Sequence, residues 1–459
     1  MTNLRRQVDR LLDRVQRHDW IVPFAMVLSA VILAFSMDAL DRLVDSRLRP
    51  MWWLFSGGQT TARQLLSATA AAMVAIVTMS FSITVTAVTF IAQHYGTLAI
   101  RTFMRNLTTQ FVMGSFLATL VYSLLVLRLV HSAGNDEAVP RIAVTLGILL
   151  ALVSFGMLVY FLYHMSENMD APNLVAAIGW NLERVIHRTT EPLDGEADKE
   201  DSPAPQMIGS SIVTADSTGY VRMIDHERLL ALARRHGAVI RLEFGVGHFV
   251  RQGDNLATIG GPSSIGVPAH AVRKAVPMES KRTLEEDIEL GLNQLVQVAI
   301  RGLSPGRNDT FATMLCLDRL GAALSLLAER RFPPAVQRDG EGRPRLVTRP
   351  VTFADLVDRS FEQIHSFGGE TTVIAARMLQ TMRTVAVHTR RPADRASLRR
   401  HVVAVHEESR KRLSDRIGIE VVEREFQEAM AVLEDGGRSA ASRYSPTPVA
   451  RERSDTSSA

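Results

Sequence analysis

The chain of 459 residues has one cysteine, Cys316. A single thiol excludes an intramolecular disulfide and any metal site built from several cysteines. Lying on an apolar helical pattern, it reads as a buried, inert thiol rather than a reactive one. Excess charge is also scarce. The 52 basic and 48 acidic residues leave a formal net charge of +4, spread through Arg-rich helices, and nucleic acid is discounted as a partner. The thirteen histidines never fall at a His-x-x-x-His spacing near a carboxylate, and His401 and His406 stand five apart among basic residues. A Gly-rich phosphate loop, a nucleophile elbow and a pair of catalytic carboxylates are missing too. These gaps point away from an enzyme and lead us to expect no resident metal and no cofactor.

Long apolar runs are what the chain does have, and they crowd the first 165 positions while most charge lies beyond. Met1 to Asp19 is polar and basic, with Arg5, Arg6, Arg10, Arg14 and Arg17. The run Trp20 to Leu40 is long enough to span and carries no cleavage signal, so it reads as an uncleaved first span. Gln64 to Gln93, Thr109 to Val130 and Ile142 to Met165 supply three more, the second of them over-long and obliged to tilt or project. Basic residues near the span ends number nine on the side of the N-terminus (the five above, Arg101, Arg105, Arg184, Arg188) against six on the other (Arg42, Arg47, Arg49, Arg63, Arg128, Arg141). This bias favours cytoplasmic N- and C-termini. Trp20, Trp52 and Trp53 suit interfacial belts, and Asp38, His94 and His164 sit at span ends.

No Asp, Glu, Lys or Arg falls deep in a span, which argues against a proton relay or charge-coupled pump. The second span instead carries Thr78, Ser82, Thr86, Thr89 and Gln93 on one helical face. Two readings stand for this stripe: hydroxyls bonded to their own helix or across a helix pair, and a water-lined path. Ala143, Gly147 and Ala151, and Gly114 with Ala118, are small-residue ladders along which backbones could approach closely. The link after Gly96 brings Arg101 and Arg105 to one helix face, where they could meet anionic head groups.

Beyond the spans, Asn173 to Arg188 reads as an amphipathic helix with Leu174, Ile178, Leu182 and Ile186 on one side, followed by an acidic, Pro-containing linker. A β-rich piece follows, with strands at 211–214, 220–224, 239–244, 249–250 and 256–259 and a helix at 226–236 capped by Asp225. Its segment GVGHFVRQGDNLATIG is similar to half of a biotinyl or lipoyl carrier barrel, without the lysine that such carriers modify. Helical spacing then returns in Leu292, Leu295, Val296, Ala299 and Ile300, stops at Ser304-Pro305-Gly306, and restarts with Asn308 or Asp309 as cap. The stretch 332–349 reads as a link containing Pro and Arg. Helices follow at 353–367, 370–388, 392–413 and 420–433, then a disordered Ser- and Arg-rich tail from 437.

Arg282-Thr283, Asp287, Gly291, Gln294-Leu295, Ala299, Arg301 and Leu303-Ser304-Pro305-Gly306 with Asn308-Asp309, together with SFSITVTAVTFIAQ and FMRNLTTQFVMGSFLATLVYSLLVLR, resemble the bacterial DUF2254 family of predicted membrane proteins. The resemblance covers about residues 15 to 390 and implies architecture rather than an activity. The chain departs from the family pattern at Thr310, where a proline is usual, and at Gly96-Thr97-Leu98, where Ser-Pro-Arg is usual.

The expected fold is therefore a membrane α-helical bundle of four transmembrane helices followed by a cytoplasmic α+β region with a small β-barrel-like piece and a helical bundle. Its divisions are an N-terminal segment 1–19, a transmembrane domain 20–168, an amphipathic helix and linker 169–206, a β-rich subdomain 207–275, a helical subdomain 276–435 and a tail 436–459. Two site readings accompany it besides the stripe. Arg301, Ser304, Gly306, Asn308 and Asp309 form either an anion site at a helix start or a plain structural turn. Glu285, Glu286, Asp287 and Glu289 form either a hard-cation site or a solvated helix start. The expected partners are the lipid bilayer, further copies of the chain in a homo-oligomer, and a cytoplasmic ligand or protein. The functional expectation is a channel-like or transport-like membrane protein, with a membrane-anchored sensory or structural scaffold as the alternative.

Overall fold

The computed structural model describes residues 21–44, 54–96, 100, 107–132, 139–193, 207, 209–261, 266–284, 286–304, 306, 309–368 and 371–435. The N-terminal arginines, Trp20, Trp52, Trp53, Arg101, Arg105, Glu285, Asn308, most of the acidic linker and the tail lie outside the described residues. The chain divides into two compact units, Met1–Leu174 and Val175–Ala459.

In the first unit the apolar runs become α1 (Ile21–Val44), α2 (Gln59–Tyr95), α3 (Leu107–Ser132) and α4 (Arg141–Asn168). Each is long and apolar enough to cross a membrane. At about 1.5 Å per residue, the 37 residues of α2 far exceed the roughly 30 Å of a hydrocarbon core, as its over-long run requires. It stops at Gly96, whose φ of 94° takes it out of helical geometry. The core of the unit joins Ala30 and Ala34 of α1, Ala62 and Leu66 of α2, Tyr122 and Val126 of α3, and Ala143 and Val144 of α4. The small-residue positions are used in this packing. A Cβ on Gly114 would lie 3.0 Å from Pro23 Cα, and one on Gly147 would lie 3.2 Å from a Leu66 methyl. With no Cβ at either glycine, the helices close in.

Several polar groups inside this unit are paired across helices. Tyr122 Oη donates to the Ala143 carbonyl at 2.9 Å, and the Thr119 and Ser154 hydroxyls lie 2.9 Å apart, all buried. Pro140 offers α4 no side-chain cap. Asp41 of α1 supplies one instead, its two carboxylate oxygens accepting the Ile142 and Ala143 amides. Asp38 pairs with Arg42 one turn on, at 2.7 Å.

The second unit takes in most of α5 (Ala171–Thr189), which buries Ile178, Leu182 and Ile186 as its spacing predicts. The β-rich piece is not a closed barrel, contrary to expectation. It forms a five-stranded sheet, β2 (Ser211–Thr214), β6 (Asn255–Gly260), β4 (Val239–Leu242), β10 (Pro344–Val347), β9 (Val336–Arg338), and a three-stranded one, β5 (Phe249–Val250), β3 (Gly219–Val221), β7 (Met278–Glu279). The carrier-like segment splits between them, β5 pairing with β3 and β6 with β2 and β4, so no barrel closes around it. The 332–349 stretch is a second correction. It is a hairpin, and β10 pairs parallel to β4, extending the sheet. Pro344 and Arg345 broke its apolar pattern, yet Leu346 and Val347 are buried. Helices α6 (His226–Arg235) and α7 (Ala269–Ala275) contribute Leu229, Ala233, Val272 and Ala275 to the same core as Ile240, Ile259 and Leu346. Asp225 caps α6 through the Arg228 amide. A short β1 (Glu191–Pro192) pairs with β8 (Arg330–Arg331).

Six helices complete the unit in alternating directions: α8 (Ile288–Leu303), α9 (Thr310–Ala328), α10 (Phe353–Gly368), α11 (Thr372–His388), α12 (Pro392–Arg412) and α13 (Arg416–Glu434). At one end their turns meet, where a Cβ on Gly368 would touch Leu303 and Ile374, and where Arg412 Nη1 donates to the Ser366 carbonyl at 3.1 Å. At the other end His388 pairs with Glu329 at 2.7 Å, and Arg395 Nη1 donates to the Leu433 carbonyl at 3.3 Å. Helix α9 is a fifth element long and apolar enough to cross a membrane. In this unit it buries Cys316, Leu317, Leu320 and Leu324, and Gly321 lies against Thr381 of α11.

Candidate functional site

The polar stripe of α2 lies on the surface of the chain. Thr78, Ser82, Thr86, Thr89 and Gln93 are all exposed, while the opposite face, from Ala62 through Leu66, Ala70, Met73, Ser80 and Ala87 to Ile91, is buried. The same helix thus separates a core face from a hydroxyl-bearing face. Three of the stripe hydroxyls bond one turn back at 2.9 Å: Thr78 to the Val74 carbonyl, Thr86 to Ser82 and Thr89 to Val85. A hydroxyl that donates to a carbonyl already in the helix ladder is satisfied without water and still has lone pairs to offer.

The hydroxyls buried in the first unit sit elsewhere, on α3 and α4. Thr119 and Ser154 pair there, and Ser123 donates to the Thr119 carbonyl. Thr119 and Ser123 stand one helical turn apart in the third run, but their pairing with Ser154 joins two separate runs and leaves no mark in local spacing. The Ser80 hydroxyl, on the buried face of α2, has no hydrogen-bond partner among the described residues.

At the α8–α9 turn the described groups close the chain on itself. Ser304 Oγ donates to the Ile300 carbonyl at 3.1 Å, and the Asp309 amide donates to Gly302 O at 2.9 Å. Asp309 Oδ1 accepts the Ala312 amide at 3.0 Å, capping α9, and Gly306 has a φ of 87°. Arg301 is half-buried, and Asn308 is outside the described residues. Among the described residues of this cluster, the Ser304 and Asp309 side chains are engaged in the turn.

Asp287 and Glu289 do not form a solvated helix start. Asp287 is 3% exposed and Glu289 8%. Arg282 holds Asp287 as a fork, Nε to Oδ2 at 2.7 Å and Nη2 to Oδ1 at 2.8 Å, and reaches Glu289 at 3.4 Å, which Arg359 of α10 also contacts at 3.1 Å. Burial acts to lower the Arg282 pKa, but Asp287 and Glu289 outweigh it and hold the guanidinium above its ordinary value. Asp287 also caps α8 through the Leu290 amide at 2.9 Å. Gly247 leaves the space for this pair, since its φ is 80° and a Cβ there would sit 2.5 Å from Asp287 Oδ2. The arrangement ties the β-rich loops to α8 and α10 with paired charges. Its sequence signal was Arg282 and Asp287 flanking a helix start, which spacing alone could not distinguish from surface charge. Among the described residues, no group of three or more His, Cys, Asp or Glu side chains is placed to hold a metal ion.

His401 and His406, on α12, each meet a carboxylate on a different neighbour: Asp358 of α10 and Glu423 of α13, both at 2.7 Å. The His406 ring stacks on Phe426 with centroids 3.9 Å apart.

The model of the DUF2254 family, described as a predicted membrane protein, matches residues 16–384. The uncharacterized protein Rv1290c of Mycobacterium tuberculosis and the uncharacterized protein Mb1321c of Mycobacterium bovis are each 26% identical to the chain over 417 residues. Each alignment covers 88% of this chain and 78% of the relative. No solved structure matches the chain.

Proposed function

The chain belongs to the DUF2254 family of predicted membrane proteins, and on that premise we propose that it is a multi-pass, non-enzymatic inner-membrane protein whose copies assemble around α2 to form a channel-like or transport-like path. The supporting observation is the exposed stripe of Thr78, Ser82, Thr86, Thr89 and Gln93 on a helix whose opposite face is already buried. In a bilayer a helix face rich in hydroxyls gains nothing from lipid, whereas a ring of such faces lines a wet path without buried charge. On this reading α1–α4 span the bilayer and α9 is a core helix of the C-terminal region, which lies in the cytoplasm and regulates the path. The orientation follows from the bias of basic residues toward the N-terminal side.

The back-bonded hydroxyls favour a second reading, a membrane-anchored scaffold whose stripe only packs and whose C-terminal region binds a cytoplasmic ligand or protein. Reconstitution into liposomes separates the two. Solute or ion flux that responds to substitutions at Thr78, Ser82 and Thr86 supports the path. Vesicles that stay tight under voltage, pH gradients and tension, with the protein inserted, refute it.

A further inference from the structure

We propose that the turn end of the α8–α13 bundle docks on the anionic surface of the lipid bilayer, inserting a small apolar patch among the head groups. Four large apolar side chains stand out at this end, each one residue in from a helix terminus: Phe311 on α9, Phe367 on α10, Val373 on α11 and Ile417 on α13, from 52% to 72% exposed. Scattered apolar residues on a surface need no explanation, but four gathered at the turns of one bundle end mark a surface that meets something.

Charge at the same end suits lipid phosphate. Arg410, Lys411, Arg412 and Arg416 fall within seven positions and are exposed. Asp415, the acidic residue among them, turns its oxygens onto the Ile417 and Gly418 amides as the cap of α13. Arg412 and Arg416 also pair along their helices with Glu408 and Glu420, while Arg410 and Lys411 extend the basic edge. Basic residues beside exposed apolar ones are the composition of an interfacial membrane contact.

The basic edge, together with the short link from an apolar span, points to the bilayer as the occupant. Beside α9, Gly179 of α5 packs on Arg319 and Thr190 accepts from Arg330, an offset of 140 residues in both cases. The two helices therefore run in the same direction, and Val175 lies near the level of residue 315, toward the turn end. Only Met169 and Asp170 separate α5 from α4, a helix long and apolar enough to cross a membrane. Helix α5 thus enters the second unit at the level of the turn end, seven residues after α4 ends.

The test places an environment-sensitive fluorophore on the full-length protein in nanodiscs, at Ile417→Cys or Phe367→Cys. Glu341→Cys, on the exposed β9–β10 turn, is the control, and Cys316 stays in place because it is fully buried. Labels at 417 and 367 should emit to the blue of the control and be quenched severalfold more strongly by head-group-proximal doxyl lipids. The difference should grow when phosphatidylglycerol is added to phosphatidylcholine and shrink in the Arg410→Gln/Lys411→Gln variant. Labels at 417 and 367 as open to aqueous iodide as the one at 341, in both lipids, overturn the proposal. A blue shift seen only in discs holding more than one chain also overturns it, because it assigns the patch to a second copy.

Discussion

Asp41 Oδ1 accepts the backbone amide of Ile142 at 2.9 Å, across about a hundred residues of sequence. Its Oδ2 does the same for Ala143, so one carboxylate of α1 satisfies two of the free amides at the start of α4, where the local residue is Pro140. A helix start favours an acceptor and a negative charge, and losing such a cap costs about 1–2 kcal/mol. Asp41→Ala should therefore lower the thermal midpoint of the detergent-solubilised protein measurably, with Asp41→Asn intermediate because one acceptor remains. Equal midpoints for all three proteins would refute the capping role.

The Arg282–Asp287 fork predicts a larger effect. Removing one partner of a buried pair leaves the other charged and uncompensated, at a cost of about 3 kcal/mol or more. Arg282→Ala should destabilise the second unit by roughly that amount. Arg282→Lys should recover little of it, because an ammonium cannot make the two parallel bonds. Gly247→Ala should resemble Arg282→Ala, since the new methyl would stand 2.5 Å from Asp287 Oδ2 and 2.6 Å from Arg282 Nη2, and the backbone there has a positive φ. Hydrogen exchange at 286–292 reports on the result, and unchanged protection there in Arg282→Ala would sink the prediction.

Acid should probe the α12–α13 contact through Glu423. Its carboxyl is held below the ordinary carboxylate range by hydrogen bonds from Gln427 and then His406. A depressed folded-state value means that its stabilisation is complete above the unfolded value, near pH 4.3, and is lost as pH falls through the lower folded value. The stability gap between the parent and Glu423→Gln should accordingly be constant from neutral pH to about pH 5 and close below pH 4. Thermal melts of both proteins across that range are the measurement, and a gap that closes already near pH 6 would assign it to another group.

Much of this fold was legible from periodicity. The apolar runs, the amphipathic face of α5 and the stop and restart between Leu303 and Thr310 all depend on local spacing, and the structure places helices at each. What escaped the sequence depends on distant partners. Strand β10 is four residues long and starts with proline and arginine, and it becomes a strand only because β4, a hundred residues earlier, offers it an edge. The carrier-like segment shows the same limit in reverse, since local turn glycines suggested a closed barrel and pairing with β3 pulled β5 into another sheet. Asp41 carried no signal in the sequence, and Asp287 looked solvated, because burial of a carboxylate is decided by the group it meets. The stripe of α2 was legible as one face, but that this face lies outside the core required the packing of Ala62, Leu66 and Met73.

That exposed stripe yields the prediction that bears most directly on function. Replacing Thr78 and Thr86 by valine and Ser82 by alanine removes three exposed hydroxyls, of which those of Thr78 and Thr86 donate to carbonyls one turn back. Those carbonyls keep their helical partners, so no buried group is left unsatisfied, and surface changes of this kind are usually worth within about 0.5 kcal/mol. The triple variant should therefore insert and melt like the parent. If the stripes of several copies face a common wet path, the variant should lose flux in liposomes while keeping its oligomer mass, because valine and alanine fill similar space without binding water. If the hydroxyls instead hold copies together, the mass itself should fall. Unchanged flux and unchanged mass would leave the stripe facing lipid and remove the main support for a path along α2.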